Sequence, residues 1–201
     1  MSVTLFDALR IGPHTLKNRV LMAPLTRMRA GQPGDVPTAL MAEYYRQRAS
    51  AGVVITEATQ ISPEGKGYAD TPGIYNAEQV AGWRRITDAV HSRGGRIVAQ
   101  LWHVGRVSHP TIQADGRLPV SASSKQPVGA QAFGYDETGT PALVAPPVPR
   151  QLATDEIARI VGEFAQAAAN AIDAGFDGVE IHGANGYLFE QFMNPLVNDR
   201  T

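Results

Sequence analysis

The chain has 201 residues, of which 43% are hydrophobic and 18% are charged, and its formal net charge is −1. This composition is ordinary for a globular protein with one core, and it gives no basic surplus for nucleic acid or an anionic membrane. The absence of cysteine excludes disulfides, iron–sulfur clusters and thiolate zinc sites. No secretory signal and no apolar run of transmembrane length is evident, so we expect a cytoplasmic protein.

Strands and helices alternate along the chain after a leading segment, residues 5–17, that is expected to form a hairpin. The pattern predicts strands over residues 19–25, 53–58, 96–102 and 178–182, and helices over residues 38–51, 77–93 and 154–174. The first strand is expected to be buried, and Thr154 is expected to cap the last helix. Such alternation predicts a parallel sheet with helices outside it.

A segment rich in proline and glycine, residues 104–151, separates the third strand from its helix. We interpret it as a loop insertion with a hairpin, at a strand end where a cover for an active site would lie. The length of each unit favours the first half of an eight-stranded (β/α)₈ barrel, with the first and fourth strands as unpaired edges. An open, doubly wound domain of four strands is the alternative.

Polar residues collect at the carboxyl ends of the predicted strands, where parallel α/β folds form their sites. Alternation places Gln100 with Trp102 on one face, and Glu180 with His182 on one face. This edge is polar without strong charge. It therefore favours a flat heteroaromatic ligand with a hydrogen-bonding rim over a metal ion or a bare phosphate.

The most informative stretch is residues 178–187, in which an apolar strand runs into His182, Asn185 and Tyr187. The first two side chains can each donate a hydrogen bond, and a phenol keeps its proton at neutral pH because its ordinary pKa is about 10. Two donors on one substrate oxygen beside a proton source suit the reduction of a polarised double bond. A strand-to-helix turn with polar caps explains the same residues, and this stretch alone leaves both interpretations open.

Five stretches, in a fixed order, span nearly all of the chain: 18–27 (NRVLMAPLTR), 57–59 (EAT), 67–75 (GYADTPGIY), 99–106 (AQLWHVGR) and 182–188 (HGANGYL). They resemble the Old Yellow Enzyme family of flavoproteins, of the N-ethylmaleimide reductase and pentaerythritol tetranitrate reductase kind. The resemblance implies a (β/α)₈ barrel that holds FMN, is reduced by NAD(P)H and passes hydride to activated alkenes. Enones, maleimides, nitro compounds and nitrate esters would fit such a site.

The resemblance also implies which residues hold the flavin. Pro24 and Thr26 would lie against its ring, with the Thr26 hydroxyl near O4, while the Ala58 backbone and the Gln100 amide would bind the pyrimidine edge. The full implied cofactor-binding set is Ala23, Pro24, Leu25, Thr26, Ala58, Gln100 and His182.

The implied catalytic residues are those of the most informative stretch. His182 and Asn185 would hydrogen-bond the substrate oxygen, and Tyr187 would protonate the α-carbon. Tyr68 and Trp102 would line the substrate face.

The family's fifth to eighth strands, which carry the flavin phosphate loop, have no counterpart in this sequence. We therefore expect either a complementary C-terminal half or self-association, and an inactive or partner-dependent half-barrel is one alternative function. Another is a metal-dependent barrel hydrolase that uses strand-end histidines and carboxylates. Its candidate ligands are Glu57, His103, Glu180 and His182.

Overall fold

A parallel sheet with helices packed on it forms the body of the chain; the structure, a computed structural model, describes residues 2–200. The strands are β1 (Leu9–Ile11), β2 (His14–Leu16), β3 (Leu21–Met22), β4 (Val53–Ile55), β5 (Thr59–Gln60), β6 (Ile97–Trp102), β7 (Val120–Ser121), β8 (Ala132–Tyr135), β9 (Pro141–Val144), β10 (Arg150–Gln151) and β11 (Gly178–Ile181). The helices are α1 (Ala39–Arg46), α2 (Ala77–His91), α3 (Thr154–Asp173) and α4 (Leu188–Met193).

The main sheet has five strands in the order β11–β6–β4–β3, with β5 pairing the carboxyl end of β6. Every pairing in it is parallel, as the alternating pattern predicts. The leading segment forms the expected hairpin, because β1 and β2 pair antiparallel. Within residues 2–200, no helix combines the length and apolarity needed to cross a lipid bilayer.

Several predictions about individual elements are wrong. The helix predicted over residues 38–51 ends at Arg46, and the strand predicted over residues 53–58 ends at Ile55, before the separate strand β5.

The sequence predicts a buried first strand over residues 19–25, but β3 is short and Leu21 is 46% exposed, because β3 is a sheet edge with a neighbour on one side only. Thr154 does not cap α3: the cap is Ala153, whose N–H donates to the Glu156 carboxylate at 2.7 Å, and Thr154 is the first helical residue.

Both edges of the main sheet, β3 and β11, carry exposed apolar side chains. Ile181 on β11 is 52% exposed. Four further apolar residues on or beside the edge strands are also exposed: Val20, Leu21, Leu25 and Val179. Unpaired edges with apolar side chains favour pairing with further strands.

The segment between β6 and α3 folds back over the strand ends. Within it, β8 and β9 pair antiparallel as a hairpin, and β10 pairs with β7. The hairpin contacts an earlier loop, since the Ala69 N–H donates to the Phe133 carbonyl at 2.7 Å. This contact fixes the backbone next to Tyr68.

At the amino end of the sheet, Asp177 joins α2, β6 and β11. Its carboxylate accepts from the His91 ring at 2.9 Å, the Arg96 guanidinium at 2.6 Å and the Ile97 N–H at 2.9 Å. Burial opposes ionisation, but these donors outweigh it and hold the pKa of Asp177 below its ordinary value.

We expect Asp177→Asn to lower the free energy of unfolding at pH 7 by about 1–2 kcal/mol, because charge-assisted hydrogen bonds are lost. An acid with a lowered folded pKa stabilises the fold above its unfolded pKa, and this contribution is lost as the pH falls through the folded pKa. Denaturation at a series of pH values should therefore show a flatter acid limb for Asp177→Asn. An unchanged acid limb would contradict this role.

Candidate active site

A groove of about 430 Å³ lies at the carboxyl ends of β3, β4, β6 and β11. It brings together eight of the residues predicted from the sequence: Pro24, Thr26, Ala58, Gln100, Trp102, His182, Asn185 and Tyr187. Three others do not line it. Ala23 and Leu25 are exposed beside the groove, and Tyr68 reaches it only through contacts with Trp102 and Tyr187.

Four aromatic rings pack at one end of the groove. Trp102 is the centre: its ring centroid lies 5.5 Å from that of Tyr68, 5.0 Å from Tyr187 and 6.3 Å from His182. The His182 and Tyr187 rings meet edge to face at 4.9 Å. This packing limits how far the two polar rings can rotate, and so preorganises their hydrogen-bonding atoms.

The His182 imidazole is arranged as a neutral hydrogen-bond donor. The Ala184 N–H points at its Nδ1 at 3.4 Å, which favours the tautomer with the proton on Nε2. Burial lowers the pKa of His182, more strongly than the neighbouring Glu180 carboxylate raises it. At neutral pH the ring is therefore uncharged and offers Nε2–H to a ligand.

Tyr187 is arranged to hold its proton. Burial raises the pKa of Tyr187 well above its ordinary value, because a phenolate there would lose its solvation. The two phenol oxygens are 3.1 Å apart. The turn before Tyr187 has Asn185 at φ 59°, a left-handed conformation that asparagine tolerates better than most residues.

Gln100 and Glu180 form a pair that the sequence did not predict. The Gln100 Nε2 donates to the Glu180 carboxylate at 2.9 Å across the β6–β11 pairing. One N–H and the carbonyl oxygen of this buried amide can still serve a ligand. Nearby, the strand pairing with β6 is interrupted between β4 and β5, and Ala58 lies in that interruption.

Glu57 lies behind the groove rather than in it. Its buried carboxylate accepts from the Arg27 N–H at 2.8 Å and the Met28 N–H at 3.1 Å, directly after Thr26. Met28 has φ 52°, so this carboxylate holds a strained turn. Burial raises the pKa of Glu57, and the N–H donors offset this only in part.

The structure does not assemble the metal site of the hydrolase alternative. Glu57 is engaged by the backbone after Thr26, and the buried His103 accepts from the Gly105 N–H at 3.0 Å and faces Glu64, away from the groove. Among residues 2–200, no group of three or more His, Cys, Asp or Glu residues could hold a metal ion. A larger cavity, about 670 Å³, adjoins Glu64, but its arginines and glutamates neutralise one another.

Gln191 on α4 supports the groove and was also missed from the sequence. Its Nε2 donates to the carbonyls of Val104 at 2.9 Å and Gly186 at 2.7 Å, and its Oε1 accepts from the Arg106 N–H at 3.1 Å and the Ser121 hydroxyl at 2.9 Å. Because Gly186 precedes Tyr187, this amide fixes the turn that carries the phenol. A glutamine one helical turn after a tyrosine gives no signal of such partners.

Comparison with known proteins decides the family. Residues 4–201 match the family described as NADH:flavin oxidoreductase / NADH oxidase. The chain belongs to this family. Its relatives include 12-oxophytodienoate reductase 1 of Oryza sativa subsp. japonica, which is 47% identical over 100% of this chain and 50% of that protein. Flavin oxidoreductase hxnT of Emericella nidulans is 48% identical over 98% of this chain and 50% of its own length.

Solved structures of family members share the fold. Morphinone reductase in complex with tetrahydroNAD has a TM-score of 0.96 at 51% identity, covering 100% of this chain and 55% of that one. The old yellow enzyme homologue from Zymomonas mobilis has a TM-score of 0.91 at 48% identity, covering 98% of this chain and 53% of that one.

These matches confirm the resemblance to the Old Yellow Enzyme family, the (β/α)₈ barrel as the fold class and FMN as the family's cofactor. They also decide against an open, doubly wound domain. The chain spans about half the length of the curated relatives it matches, and it supplies about four of the barrel's β/α units.

Proposed function

We propose that the protein is an FMN-dependent ene-reductase that uses NAD(P)H and reduces activated C=C bonds. The observation that carries this proposal is the convergence of a neutral His182, Asn185 and a protonated Tyr187 on one groove. That donor set suits the oxygen and the α-carbon of a polarised alkene. FMN, when bound, supplies the hydride.

The groove residues fit a flavin. The buried Trp102 Nε1 has no hydrogen-bond partner in the described chain, and Gln100 keeps an unused amide oxygen beside it. Gln100 and the Ala58 backbone would hold the pyrimidine edge, since an amide complements its alternating donors and acceptors. Pro24, Thr26 and the flanking Ala23 and Leu25 would border the ring, with His182 on the substrate side.

The substrate would lie over the aromatic cluster, with Tyr68 and Trp102 lining its site. The His182 Nε2–H and the Asn185 amide would donate to its carbonyl or nitro oxygen, and so stabilise the negative charge that develops there. Tyr187 would then transfer its proton to the α-carbon. The proposed substrate class includes enones and maleimides. It also includes nitro compounds or nitrate esters, because each presents an oxygen that the same two donors can bind.

The proposed domain is a single, partial FMN-binding barrel over residues 1–201, with the insertion at 104–151. The exposed apolar edges β3 and β11 support pairing with complementary barrel strands, from a C-terminal half or from a second copy. An inactive half-barrel is the competing function, and flavin binding separates the two.

Flavin binding tests the proposal directly. We expect the purified protein to show a flavin absorption spectrum that persists through gel filtration, and Gln100→Leu to weaken FMN binding about tenfold because hydrogen bonds to the pyrimidine edge are lost. Gln166→Leu, on the exposed face of α3, is the matched control and should bind FMN normally. A folded protein that takes up no FMN would refute the proposal.

A further inference from the structure

We propose that Tyr68 is a positioning residue that donates a hydrogen bond to Tyr187 and so directs the Tyr187 proton toward the substrate. This inference rests on the proposed function. It assigns to Tyr68 more than the lining role expected from the sequence.

The hydrogen bond between the two phenols can run in either direction, and only one direction frees the Tyr187 proton. Their oxygens are 3.1 Å apart, and either can be the donor. A phenol has one proton, so Tyr187 cannot donate to Tyr68 and to a substrate at the same time. When a substrate occupies the groove, the bond must run from Tyr68 to Tyr187 for the Tyr187 proton to be available.

The same bond stabilises what proton transfer leaves behind. Burial makes a phenolate at Tyr187 costly, because the charge loses solvation. A hydrogen bond from Tyr68 becomes charge-assisted at that moment, and such bonds are stronger than neutral ones. The interaction is therefore stronger late in proton transfer than before it, which is the condition for lowering a barrier.

The proton balance closes without a further reactant. The Tyr187 O–H bond breaks as the α-carbon C–H bond forms, and the Tyr68 proton then moves across the 3.1 Å bond to the Tyr187 oxygen. Tyr68 is half-buried, so water can return a proton to it. The net change is one proton taken from solvent.

Tyr68 is held firmly enough for this role. Its ring packs on Trp102, and its carbonyl accepts from the Thr71 hydroxyl at 2.8 Å. The next residue, Ala69, is bonded to Phe133 on the β8–β9 hairpin. Two independent contacts, one to the barrel and one to the insertion, therefore set the position of the Tyr68 ring.

The test measures the acidity of residue 187 without relying on turnover. Fluorotyrosine placed at position 187 of the holoprotein is more acidic than tyrosine, and its ionisation can be followed by fluorine NMR. We expect Tyr68→Phe to raise the pKa of that fluorophenol by about one unit, because its phenolate loses a charge-assisted donor. Tyr135→Phe, which removes a hydroxyl near Asp70, is the control and should not shift this pKa.

Kinetics give the second measurement. Tyr68→Phe should lower kcat for alkene reduction about tenfold with little change in KM, and should have no further effect when combined with Tyr187→Phe. An unchanged or lowered fluorophenol pKa, or additive kinetic effects, would overturn the inference. Failure of the proposed function looks different, since no alkene would then be reduced by the wild type.

Discussion

Tyr187→Phe is expected to slow the reduction of the alkene by about 10²–10⁴-fold, while reduction of the flavin by NADPH is almost unchanged. The phenol is the proposed proton source beside the neutral His182, and phenylalanine keeps its ring packing on Trp102 but has no proton to give. Hydride transfer to the flavin needs no proton from this position, so the two half-reactions should separate. Rapid-mixing absorbance of the flavin measures each of them.

Tyr44→Phe is the matched control, because it removes a phenol hydroxyl from a ring that lies between Arg27 and Arg48, outside the groove. It should leave both half-reactions at the wild-type rate. If Tyr187→Phe slowed both half-reactions equally, the phenol would be a structural or flavin-binding group, and its role as proton donor would be wrong.

The pH dependence follows from the same environment. Because burial raises the pKa of Tyr187, the phenol stays protonated through the neutral range, and the rate of alkene reduction should not fall until the pH exceeds the ordinary phenol pKa of about 10. Because burial lowers the pKa of His182, the ring gains charge only on the acid side of its ordinary range. A rate that fell near neutral pH would contradict both assignments.

The architecture could be predicted from the sequence where local patterns decide it. α2 and α3 follow the apolar periodicity closely, since each is buried on the face that the pattern marks, whereas β6 is buried on both faces, as a central strand of a parallel sheet should be. β3 does not follow the pattern, because the burial of an edge strand depends on whether a further strand pairs with it, and local sequence does not reveal this. Its apolar residues predicted burial, whereas the described chain leaves Leu21 exposed.

The site could be predicted from the sequence only where its residues lie close together along the chain. His182, Asn185 and Tyr187 lie within six consecutive positions, and their spacing alone suggested a donor set. Glu180 and Gln100 are 80 residues apart, so no local pattern could reveal that they pair. Fold topology, not sequence spacing, creates such contacts.

The role of Glu57 also could not be predicted from local sequence, which suggests a metal ligand at this position. The carboxylate instead accepts two backbone N–H groups about 30 residues earlier in the chain, and so fixes the turn that follows Thr26. Positive φ at Met28 costs energy that these bonds offset. The position of Thr26 beside the groove therefore depends on a side chain that does not line it.

We expect Glu57→Leu to lower the free energy of unfolding by about 2–4 kcal/mol, because two part-buried N–H groups lose their charged acceptor. Loosening of the turn should also weaken FMN binding through Thr26. Denaturant unfolding of the apoprotein measures the first effect, and FMN titration measures the second.

Glu57→Gln separates the acceptor from the charge. The amide oxygen can still accept from Arg27 and Met28, and its nitrogen would replace an oxygen that already has no partner in the described chain. Burial raises the pKa of Glu57, so its charge weakens the fold as the pH rises through that raised value, and a neutral glutamine avoids this loss. Glu57→Gln should therefore unfold within about 1 kcal/mol of the wild type at pH 7. If it were as damaging as Glu57→Leu, the charge rather than the acceptor would hold the turn.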